Sequence, residues 1–92
     1  MELNPAHIVT VTDFSPETLR SIIAHLEVST DFEHLVYREA ELDAIWSITG
    51  FFLRDAPDSD HVKLLHDGAH RAHDLVADRR PQDAAALLRR FL

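Results

Sequence analysis

Proline decides where this chain can be helical. Pro16, Pro57 and Pro81 each stand at a boundary, and the stretches between them carry helical apolar spacing. Proline has no amide hydrogen and a fixed φ, so it fits the first turn of a helix or a turn between helices and breaks a helix interior. Ser15-Pro16 reads as an N-cap with proline at the first helical position. Phe14 before the cap and Leu19 four positions after it fit a hydrophobic staple. Leu19, Ile22, Ile23 and Leu26 then recur at i, i+3, i+4 and i+7, which predicts a one-faced helix over 16–28.

The second helix is expected over 31–54. Thr30 with Glu33 three residues on has the form of a capping box. Leu35, Val36, Leu42, Ile45 and Trp46 come next, but from Ile45 the apolar residues leave a single stripe. Ile45, Trp46, Ile48, Phe51, Phe52 and Leu53 cover most of the circumference. A helix apolar on all sides is expected to be buried on several, either as the central helix or within a dimer interface.

Ala56-Pro57-Asp58-Ser59-Asp60 reads as a turn whose hydroxyl and acidic residues cap the third helix. That helix, over 59–79, has a core stripe of Val62, Leu65, Ala69, Ala72 and Val76, widened by Leu64 and Leu75. Pro81 opens a fourth helix over 81–92. The one strand candidate, residues 7–12, has nothing to pair with in a single copy, so residues 1–14 read as an extended arm. The expected fold is all-α: one domain, 1–92, forming a small antiparallel four-helix bundle with an extended N-terminal arm.

Composition excludes several function classes. The chain has no cysteine, hence no disulfide, thiolate metal site or thiol nucleophile. Its two glycines cannot build a phosphate-cradling loop. Residues 1–62 carry three Arg against twelve Asp and Glu, a balance of −9; residues 63–92 carry one Lys and five Arg against four Asp, a balance of +2. The overall −7 argues against binding to nucleic-acid backbone. The asymmetry implies that the two halves attract each other, within one chain or between two. No apolar run approaches the ~20 residues that span a bilayer. The start, MELNPAHIV, lacks the basic and apolar regions of a signal peptide, which points to a cytoplasmic protein.

His66, His70 and His73 stand at i, i+4 and i+7, and on a helix share one stripe. At 100° per residue from Val62 they fall at about 40°, 80° and 20°, beside an apolar arc of about 200–360° and inside Asp67, Asp74 and Asp78. That placement suits a core margin that titrates near pH 6. It also suits a Zn or Ni site using His66, His70 and His73, with a further ligand from His25, His34 or a second chain. No HExxH supplies a hydrolytic zinc site, Ser15 and Ser59 read as caps and not nucleophiles, and no carboxylate is embedded in an apolar run.

Aromatic residues cluster on the second helix. Tyr37, Trp46, Phe51 and Phe52 are candidate partner-binding residues, because four short helices have limited room for their bulk. These features together point to a non-catalytic interaction module, cytoplasmic and homodimeric. It would act as a regulator or accessory subunit by docking a protein partner on an apolar face with an acidic rim. Its alternative is a metal- or pH-responsive protein built on the histidine stripe.

Overall fold

A computed structural model describes residues 11–29 and 31–92. Four α-helices occur in order: α1 Pro16–Val28, α2 Phe32–Asp55, α3 Asp60–Ala77 and α4 Pro81–Leu88, with a closing 3₁₀ turn at Arg89–Phe91. No strand occurs among the described residues, and most of the strand candidate at 7–12 lies outside them. None of the helices is long and apolar enough to cross a membrane, among the described residues.

The start of α1 is as the sequence implies. Ser15 Oγ accepts from the Thr18 amide at 3.3 Å, and Pro16 takes the first helical position. Asp13 adds a second layer, its Oδ1 accepting from the Ser15 amide at 2.9 Å and the Thr18 hydroxyl at 2.6 Å. These bonds, Thr18's first, hold the Asp13 carboxyl below its ordinary pKa. A depressed carboxylate contributes its stability above the unfolded-state value and loses it as pH falls through the folded-state value. Urea midpoints are therefore expected to drop as pH is lowered from about 5 to below 4, with a smaller drop in Asp13→Asn. An unchanged slope in the variant would show that other carboxylates carry the acid sensitivity.

The helices alternate in direction. Across α2 and α3 the contacts run Thr49 with His66, Trp46 with His70, and Asp43 and Glu39 with His73, the register of an antiparallel pair. Phe91 returns along α3 to Gly68 and His61, so α4 is antiparallel to α3. Phe14 before α1 meets Phe52 near the end of α2, edge to face at 5.6 Å, and sets α1 against α2. Arg89 with Glu27, and Gln82 Nε2 donating to the Glu27 carbonyl at 2.8 Å, bind α4 to α1. Leu19, Ile22, Leu26, Leu42, Ile45, Leu65, Ala69, Ala72, Val76, Ala84, Ala85 and Leu88 form one shared core. This is the small antiparallel all-α bundle expected. Of the arm's described part, Val11 and Phe14 rest against that core.

Several details differ from expectation. The fourth helix, expected over 81–92, stops at Leu88 and tightens into the 3₁₀ turn at Arg89–Phe91. The second helix starts at Phe32 with Asp31 in the cap position, and Thr30 of the expected capping box lies outside the described residues. That helix is not buried on several sides. It packs along α3, with a smaller contact to α1, and leaves Val36, Trp46, Phe51 and Phe52 exposed. Within its single buried stripe stand Arg38 and Glu41, an ion pair only 3% and 4% exposed. The third helix ends at Ala77 because Arg79 turns left-handed (φ 61°). The Arg79 amide then reaches the Val76 carbonyl at 2.9 Å and the Arg80 amide the Leu75 carbonyl at 2.8 Å. That is the Schellman closure, with arginine where glycine is usual.

Candidate functional site

The histidine stripe lies along the α2–α3 seam and its three rings have different surroundings. His66 is seated against α2: it stacks on Trp46 (centroids 5.1 Å apart, planes 18° apart), and its Nδ1 is 2.8 Å from Thr49 Oγ1. The Thr49 hydroxyl also lies 2.8 Å from the Ile45 carbonyl and 3.0 Å from the Trp46 carbonyl; when its one hydrogen goes to either, its oxygen accepts from the Nδ1–H tautomer of His66. Gly50 makes the approach possible, since a Cβ there would lie 3.3 Å from His66 Cε1.

His73, half-buried, faces carboxylates. Its Nε2 is 3.6 Å from Asp43 and 3.8 Å from Glu39, and its Nδ1 is 3.8 Å from Asp74. These distances exceed a direct hydrogen bond but let the carboxylates act on the ring as charges. His70 is exposed, with Nδ1 3.8 Å from Asp74 and its ring edge-on to Trp46 at 6.2 Å. The order from core to solvent agrees with the wheel: His66 and His73 are half-buried at its edge and His70 lies outside. Leu64 is the exception among the apolar positions, being exposed while Gly68 takes the buried place under Phe91.

The arrangement speaks against His66, His70 and His73 as a Zn or Ni site. Among the described residues no three His, Asp or Glu side chains converge as a metal ion requires. The shared helix face is not enough, because Trp46 and Thr49 hold His66 while His73 turns to Glu39 and Asp43. Ser15 and Ser59 occupy the N-cap positions of α1 and α3.

Asp43, Trp46, His70, His73 and Asp74 line a recess of about 200 Å³. Trp46, 44% exposed, forms its apolar wall and the two aspartates its anionic edge. The other aromatic candidates do not join Trp46 in one patch. Phe52 lies about 120° round α2 on the α1 side, where it meets Phe14. Phe51, 69% exposed, points outward under the Arg54 guanidinium (5.6 Å), and Tyr37 is half-buried. The basic surplus of the C-terminal part collects elsewhere: Arg71, Arg80 and Arg90 rim a cleft between α3 and α4 floored by Leu75, Ala86 and Leu87.

The recess is only partly legible in the sequence. Trp46 and the histidines each stand out there, but their meeting depends on the α2–α3 register, which the turn at 56–59 sets. No family model, curated protein or solved structure matches the chain.

Proposed function

We propose that this chain is a non-catalytic, cytoplasmic interaction module, a regulator or accessory subunit that docks a protein partner on the apolar face of α2. The observation that carries the reading is the recess at Trp46. An indole left nearly half exposed in a recess that Asp43 and Asp74 also line suits the side chain of a basic residue. A guanidinium or ammonium stacked on the ring gains cation–π attraction and meets the carboxylates at its edge. The acidic surplus of residues 1–62 would draw such a partner in. Self-association belongs to the same reading.

Trp46 is the sole tryptophan, so its emission reports on the recess directly. Peptides of varied charge, titrated against the chain, are expected to change that emission only where they carry Arg or Lys flanked by apolar residues. Asp43→Asn should weaken binding by about tenfold and Trp46→Phe by less than Trp46→Ala. Equal responses to acidic and basic peptides, or none to either, would overturn the reading.

A further inference from the structure

The 24 residues of α2 present a second surface, turned away from the bundle. Glu33, Val36, Ala40, Asp43, Ala44, Ser47, Phe51 and Arg54 fall within about 100° of one another on the wheel, centred about 110° round from Trp46. All are exposed except Ala44, which is half-buried. Val36 at 44% and Phe51 at 69% are large apolar side chains left in solvent.

The order of these residues is self-complementary. Turned end for end about the point between Asp43 and Ala44, the stripe sets Glu33 opposite Arg54, Val36 opposite Phe51 and Ala40 opposite Ser47. Small residues thus face one another at the centre, where helix axes approach most closely. Apolar residues face one another outside them, and opposite charges face one another at both ends. An isologous two-fold contact has this form, because each residue's partner is found on the same patch of the other copy. The like-charged Asp43 pair falls to one side of the centre, where each carboxylate has His73 Nε2 at 3.6 Å.

We infer that α2 pairs antiparallel with α2 of a second copy of this chain, through Glu33–Arg54 and Val36–Phe51 contacts made twice. The inference rests on the interaction-module reading and gives its self-association a surface. The occupant is a second copy because charge and apolar matching are both met by the stripe itself. The contact adjoins the Trp46 recess along Asp43, which belongs to both, and leaves the indole, about 110° round α2 from the stripe's centre, to a different partner.

Sedimentation equilibrium of the full chain is expected to show a reversible dimer. Phe51→Glu and Val36→Glu should each raise its dissociation constant at least about tenfold while helicity by circular dichroism is unchanged. Glu33→Arg and Arg54→Glu should each weaken it by several fold, and the two together should restore it. The chain has no native cysteine, so Ala40→Cys with Ser47→Cys reports the register. Mild oxidation should cross-link the double variant into a dimer, since helix axes about 8–10 Å apart bring the facing Cα atoms within disulfide range. Ala40→Cys alone should not cross-link.

A monomer at several hundred micromolar, or a dimer indifferent to all four charge and apolar variants, overturns the inference. So does a cross-link with Ala40→Cys alone, which would mean a different register. None of the residues changed here lines the recess, and the peptide titration is read at Trp46 of the parent chain, so failure here and failure of the interaction reading are told apart.

Discussion

Replacing Arg38 by methionine is expected to remove about 3–5 kcal/mol of stability, the largest single effect expected for this chain. Arg38 and Glu41 are both buried in the stripe of α2 that also holds Leu35, Leu42 and Ile45. Burial lowers the Arg38 pKa, and the charge of Glu41 and its hydrogen bond work against that shift. Methionine keeps the unbranched apolar stem but leaves the Glu41 carboxylate dehydrated without its cation. A domain of this size holds about 5–15 kcal/mol in all, and its melting temperature moves about 4–8 °C per kcal/mol. Calorimetry should therefore find Arg38→Met lower by at least about 12 °C. Glu41→Leu should be comparably damaging, and Arg38→Met with Glu41→Leu should recover part of the loss, because two apolar side chains carry no desolvation cost. A single variant within about 1 kcal/mol of the parent would mean that water reaches the pair.

The buried ion pair also marks where the sequence pattern loses its power. On the wheel of α2, Arg38 lies inside the arc set by Leu35, Leu42 and Ile45 and Glu41 about 40° beyond its Ile45 edge, so their positions are open to inspection. The signal is obscured because Trp46, Phe51 and Phe52 spread apolar character round the helix and hide which face is the core. For α1 and α3 there is no such conflict. Leu19, Ile22, Ile23 and Leu26 are all buried, as are Val62, Leu65, Ala69, Ala72 and Val76, because each set occupies one arc against polar residues. The ends of α1 are explained by Ser15, Pro16 and the loss of periodicity at Ser29. The end of α3 is not, since nothing in the sequence marks Arg79 as left-handed, and only the geometry of a short α3–α4 connection requires it.

The candidate site is legible to the same degree. That the histidines border the core can be read from α3 alone. That they are divided between a stacked ring at Trp46 and a carboxylate-facing ring at His73 requires α2 in register beside them. The geometry therefore supplies a histidine margin to the core, but not the three rings aimed at one point that a metal ion needs. Gly50 illustrates how closely the margin is fitted. A methyl group there would press on the His66 ring, and with it on the stack that holds His66 against Trp46.

Leu65→Ala is the second large effect and joins the core to that margin. Leu65 is fully buried on α3, one residue before His66. Truncation leaves a cavity among Ile45, Ala69 and their neighbours that the alanines cannot fill, at an expected cost of about 2–5 kcal/mol. The alternative is that α3 shifts toward α2 to close the cavity, which lowers the cost but moves His66 relative to Trp46 and Thr49. Two measurements distinguish these responses. With a rigid seam, urea unfolding shows the full loss while Trp46 emission in the folded state matches the parent. With collapse, the loss is near the lower end of the range and the emission changes. His66→Ala supplies the reference: it removes one hydrogen bond and one ring stack at a half-exposed position, so it should cost no more than about 1–2 kcal/mol. If His66→Ala proved as costly as Leu65→Ala, the histidine would have to be counted as a member of the core and not as its edge.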